Sequence, residues 1–348
     1  MFGISEELKK KVEKHSGQFY KILKSSLSVK DEQILIISDY GTEGRELSKM
    51  LAYGYHYASL KKGYTVQLVM QEIKKGFMHA DDHVINALES LPERSVVILS
   101  VSNKLGRIGV TKSFRGFCQR KKHKFISSTS LGDVESNKFD LFMEAMGINY
   151  ARMIKKGKII KKKLDKTKEI RVKTDAGTDI TFDVDGMKSI ANCGDYKLPG
   201  TGGNMPAGEV YIPPKGYYGV SGVVVIDGSM KTSDGTILLD EPVILNVEEG
   251  RVVSMRGKYA EILEQTFVKY ENRAKYPYRI RHVCEFGIGI NSGAVLIGST
   301  IMDEKVLGTA HIALGSNYWF GGEIKTVFHG DQIFKNPKIY LDGNLLEL

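Results

Sequence analysis

Short apolar runs alternate with amphipathic stretches through roughly the first 160 residues of this chain. Gln33–Asp39, Tyr64–Met70, Ser95–Val101 and Lys124–Ser128 are mostly apolar, the pattern of strands covered on both faces. Between them, Arg45–Lys62 and Asp81–Leu91 space their apolar residues at helical intervals. Strand and helix in alternation predict a parallel sheet with right-handed crossovers. Gly41 and Gly44 follow Asp39 at the sheet end where such folds bind ligands. The spacing matches neither GxGxxG nor a P-loop, so turn chemistry is the expected role.

Beyond the lysine-rich tract Arg152–Lys173 the period shortens to two. Glu169–Val184 alternates apolar and polar residues around Asp175-Ala-Gly177, a hairpin signal. Short strands follow at Gly219–Ile226 and Ile237–Leu245, and a helix is expected over Tyr259–Ala274. The pattern therefore predicts an α/β domain with a parallel sheet over residues 1–165. A mainly β (α+β) domain is expected over residues 166–348.

The chain has 348 residues, 42% of them hydrophobic, enough for two cores. No run of about 18 uncharged apolar residues occurs, and the amino end lacks a signal-peptide core. A cytoplasmic protein with no membrane partner is expected. Cys118, Cys193 and Cys284 lie far apart, which excludes a disulfide framework and a CxxC zinc site. Cys284, beside Glu285, is expected as buried packing rather than as a nucleophile. The net charge of +9 raises nucleic acid as a partner. Much of the excess sits in Arg152–Lys173, where no aromatic residue offers a base-stacking platform. A solvated helix end and linker is the expected role of that tract, and nucleic acid is not the expected partner.

The chemistry gathers in the second half. His329-Gly-Asp331 places two ligand types at i and i+2, on one side of an extended segment. His311 lies between Gly308 and Gly315, with Tyr318 seven residues on. Glu285 precedes Gly287, Gly289 and Asn291, and Glu209 follows Pro206 and Gly208. Singly, each has a plain use: a satisfied core histidine, a turn cap, a packed ring. Together, acids and imidazoles at glycine-flanked strand ends point to a cation, because their desolvation needs compensation.

Glu209 in Asn-Met-Pro-x-x-Glu-Val, Glu285 in Glu-x-Gly-x-Gly-x-Asn, Asp303-Glu304 ahead of His311-Ile-Ala-Leu-Gly, Tyr318 and His329-x-Asp331 resemble the M29 metallo-aminopeptidases, the aminopeptidase T and S group. The resemblance spans both halves and is most specific from Glu285 onward. It implies a homodimer that removes N-terminal residues from peptide substrates with two divalent metal ions, zinc, cobalt or manganese, or iron. Carried over by motif, Glu209, Glu285, His311, Tyr318, His329 and Asp331 are the implied metal ligands, with Glu304 beside the metals. Glu304 or Glu209 would then take the proton of a metal-bound water, and Tyr318, if not a ligand, would stabilise the oxyanion. Where that family often has paired acids before the valine, this chain has Gly208-Glu209.

Two other readings compete with the expected aminopeptidase. Ring-cleaving 2,5-dihydroxypyridine dioxygenases look like short relatives of the M29 group and use one iron. In that case His311, His329 and Asp331 would supply a two-histidine, one-carboxylate face. The chain's length suits this, whereas Glu209, Glu285 and Tyr318 favour two metals. A nonenzymatic nucleic-acid-binding protein using the lysine tract is the remaining alternative.

Overall fold

The computed structural model describes residues 3–109 and 113–347. The chain forms two compact units, Met1–Ile154 with Gly194–Ala207, and Lys155–Cys193 with Gly208–Leu348. It passes between them three times, where the apolar pattern predicts a single break near residue 165. Local periodicity marks an element but not the sheet it joins.

In the first unit, parallel strands lie in the order Val66–Gln71, Ile34–Asp39, Val96–Ser100, Lys124–Ser128 and Gly202–Asn204. The last, three residues long and supplied from far along the chain, has no apolar period to announce it. Helices Leu47–Lys61 and Asp82–Ser90 fall where the pattern predicts them. One face of the sheet buries Leu35, Ile37, Val97, Leu99 and Phe125 against Val84, Leu88 and Phe117. At the carboxyl end of the sheet, buried Asp39 accepts hydrogen bonds from Ser102 N (2.6 Å), Ser102 Oγ (2.6 Å), Ser48 Oγ (2.8 Å) and Gly41 N (3.2 Å). Its carboxylate thus takes the donors that an anion would need.

The lysine tract is largely helix, Tyr150–Leu164, with Met153, Ile160 and Leu164 buried along one stripe. Lys155, Lys158, Lys162 and Lys163 are exposed, the arrangement of an amphipathic surface helix.

His123 is fully buried, and its Nδ1 accepts the Ser95 N–H at 3.1 Å. The ring proton therefore sits on Nε2, which has no hydrogen-bond partner. Burial, helped by the nearby Lys121 charge, pushes the imidazole down to about 4. A depressed histidine contributes stability above its unfolded value near 6.5, lost as pH falls from there toward 4. Acidification from pH 8 to pH 5 should cost the wild type up to about 2 kcal/mol more than His123→Gln. Urea unfolding of both proteins at the two pH values checks this; equal losses would rule it out.

The second unit pairs two seven-stranded sheets. One runs Arg251–Arg256, Val243–Glu248, Val220–Ile226, Asp179–Asp183, Glu169–Lys173, Lys338–Leu341, Asn344–Leu345. The other runs Gly235–Leu238, Ser229–Thr232, His329–Lys335, Thr309–Gly315, Val283–Gly289, Glu209–Ile212, Ile190–Asn192. Phe182 of the first sheet meets Phe286 of the second, ring centroids 5.2 Å apart. The α/β then mainly β order is as expected. Among the described residues, no helix is long and apolar enough to cross a membrane.

Candidate metal centre

Four adjacent strands of the second sheet carry the expected ligands, and antiparallel pairing sets them on one face. Glu285 stands opposite Ala313, and Ala313 opposite Asp331. His311 stands opposite Gly287, His329 opposite Gly315, and Glu209 opposite Gly289. Each chemical side chain thus has a glycine or alanine on one side of it across the ladder, and at Gly287 the missing side chain is what leaves room for the His311 ring.

The convergence is close. His311 Nε2 lies 3.1 Å from Glu285 Oε1 and 4.0 Å from Glu209 Oε2. His329 Nε2 lies 3.3 Å from Asp331 Oδ1 and 3.8 Å from Glu285 Oε2. Two groups of three donors have mutual distances within 4.8 Å: Glu209, Glu285 and His311, and Glu285, His329 and Asp331. His329 Nδ1 is 2.8 Å from the Ser316 carbonyl, which can only accept, so Nδ1 carries the proton. In the neutral ring, the Nε2 lone pair then faces two carboxylates. A cation between them resolves that opposition. Asp331 Oδ1 is buried without a hydrogen-bond partner, a further sign that the donor set fits a metal ion.

The charges respond accordingly. Burial opposes ionisation throughout, but His329 holds Asp331 well below the usual carboxylate range, and Asp331 in turn holds His329 well above the usual imidazole value. Burial, then the charge of Glu209, push Glu304 well above the ordinary range, the Lys305 ammonium opposes them, and the carboxyl is hydrogen-bonded to Asp331. Glu304 also pairs with Lys305, whose ammonium is fully buried and bridges to Glu209.

Tyr318 does not join the cluster. It lies in the short turn Tyr318–Phe320, is 59% exposed, carries the Lys325 ammonium 4.9 Å over its ring, and makes no hydrogen bond to the buried acids or imidazoles. The motif places it near in sequence, but the turn sends it outward. Cys284 is buried 3.6 Å from His329 Nδ1, and burial pushes its thiol up to about 11, so it is no thiolate nucleophile. Asp303 caps its loop by accepting from Ile297 N (2.7 Å), Ser299 N (3.0 Å) and Gly298 N (3.1 Å).

Two residues escape a sequence reading. Lys305 follows two acids, a pattern that usually means a solvated charge. Trp319, the chain's one tryptophan, lies with its ring centroid 4.8 Å from that of His329, yet is 58% exposed. The available signal was an aromatic run, Tyr318-Trp319-Phe320, that includes an expected ligand.

The model of the family described as NicX: 2,5-dihydroxypyridine 5,6-dioxygenase matches residues 148–346, which include every residue of the cluster. The chain belongs to this family. It is similar in structure to the 2,5-dihydroxypyridine dioxygenase from Pseudomonas putida KT2440, at 17% identity over 96% of this chain and 95% of that one, TM-score 0.73. It is also similar to AmpT from Thermus thermophilus, at 14% identity over 97% and 98% of the two chains, TM-score 0.63. No curated protein matches the sequence. These structural likenesses show the fold, so the kinship with the aminopeptidase T group holds at that level.

The family match overturns the expected metallo-aminopeptidase, and with it the hydrolase class. The dioxygenase weighed as its alternative is the better supported. The motifs misled because the fold is one that this chain has in common with both solved structures, so the fold alone does not choose between the two reactions.

Proposed function

We propose that this member of the NicX family is a dioxygenase that cleaves a dihydroxylated aromatic ring, using one ferrous ion held by Glu285, His329 and Asp331. Imidazole and carboxylate are ligands that iron(II) accepts, and it is Glu285, where the sequence suggests His311, that groups with His329 and Asp331. The observation that carries the reading is Trp319: a half-open aromatic face set edge-on against a would-be metal ligand accepts a flat substrate ring. When bound, the iron supplies the electron transfer through which dioxygen reacts with an aromatic ring, which no side chain can provide.

The remaining work belongs to the protein. Donation from His329 Nδ1 to Ser316 O keeps the Nε2 lone pair aimed inward. The 3.1 Å contact from His311 orients Glu285. Burial of Glu285, His311 and Asp331 keeps competing water out. The overall reaction places both oxygen atoms in the product, breaks one ring carbon–carbon bond, and needs no external reductant.

Protein loaded with iron(II) under anaerobic conditions, then given 2,5-dihydroxypyridine and a set of dihydroxybenzenes in aerated buffer, tests this. Oxygen uptake should match loss of ring absorbance mole for mole with at least one of them. Iron-loaded protein that consumes no oxygen with any would end the proposal.

A further inference from the structure

The geometry points to Lys305 as a built-in cation that engages the Glu209 carboxylate of the second of two metal positions laid out on this sheet, so that the chain binds one divalent ion where its donors are arranged for two. The inference rests on the one-metal reading above and names the residue that enforces it.

The two three-donor groups share Glu285, whose oxygens point in different directions: Oε1 toward His311 and Oε2 toward His329. Among the described residues, no lysine or arginine pairs with Glu285 or Asp331, whose ion-pair partners are histidines. In the other group, Glu209 is already engaged. Its Oε1 pairs with Lys305 Nζ and accepts from Asn192 Nδ2 at 3.1 Å, leaving only Oε2 toward His311. Glu304 pairs with the same ammonium. Two carboxylates around one buried positive charge make a site for a cation, and lysine supplies it from within the chain.

Lys305 is also held in place. Its N–H donates to Met302 O at 3.0 Å, and its carbonyl accepts from Asn291 N at 2.8 Å. Its backbone passes over Gly289, where a Cβ would lie 2.9 Å from the Lys305 carbonyl carbon. Gly289 is the residue opposite Glu209 in the ladder, so the missing side chain lets the loop bring its ammonium down onto that carboxylate. A second metal ion would have to displace an anchored charge of its own sign.

Lys305→Met keeps the stem and removes the charge. Lys305→Met/Glu304→Gln removes one carboxylate with it, so the buried charge stays balanced. Wild type and both variants would be equilibrated with manganese(II), counted for bound metal by mass spectrometry, and melted with and without the ion. The expected result is about one ion per chain in the wild type and about two in the variants, with the extra ion lost again when Glu209→Gln is added and the variants' melting temperature rising with manganese. Two ions in the wild type would refute the one-metal reading itself. One ion in the wild type and one in folded variants would refute the role of Lys305 and leave that reading intact. Variants that stay unfolded in manganese would also refute it, since a divalent ion should replace the ammonium.

Discussion

Asp331→Asn should lower iron affinity by at least about 100-fold and remove oxygen uptake at micromolar iron, while the metal-free protein still folds. Asparagine keeps the shape of the side chain but removes the charge, and its amide group presents donors where the cation needs an acceptor. Asp331 is the group that opposes the inward lone pair of His329 at 3.3 Å, and its Oδ1 has no other partner. The fold survives because asparagine keeps the volume of the side chain, and the strand carrying it stays paired through its backbone to Thr309–Gly315. Metal titration and thermal melts of the chelated protein check both halves. Unchanged iron affinity in Asp331→Asn would remove Asp331 from the ligand set, and the corner with it.

Gly287→Ala should be nearly as damaging, although glycine carries no chemistry. A methyl group at this position would overlap the His311 imidazole at Nε2 and Cε1. The ring would have to turn away and give up its 3.1 Å contact with Glu285, which would lose its orientation. The expected cost is about 1–3 kcal/mol from overpacking, together with loss of bound iron. Gly287→Ala/His311→Ala should recover the melting temperature, because the clash is gone, without recovering iron affinity at the wild-type level. A single variant that binds iron as the wild type does would show that His311 need not lie across Gly287.

Much of this molecule was legible in one dimension. Apolar runs such as Ile34–Asp39 and Val96–Ser100 announce buried parallel strands, because a strand covered on both faces has no polar side to show. His329 and Asp331 share a face because strand side chains alternate, a rule that needs no tertiary knowledge. The helix Ala260–Glu271 falls inside the span its periodicity predicts. By contrast, Gly202–Asn204, supplied to the first sheet from the far side of the Tyr150–Leu164 helix, was invisible, since three residues carry no period.

The sequence by itself determined the alternation of layers, the residue types able to hold a cation, and the glycines beside them, all of which follow from local spacing. Only the tertiary structure decided which of those residues meet. Register across three strands brings Glu285, His311, His329 and Asp331 onto one face, and a turn carries Tyr318 outward. A loop lying over Gly289 buries Lys305 between Glu209 and Glu304. The reason is that a charge's role depends on its nearest neighbours in space, and in a sheet those neighbours come from other strands, tens of residues away along the chain.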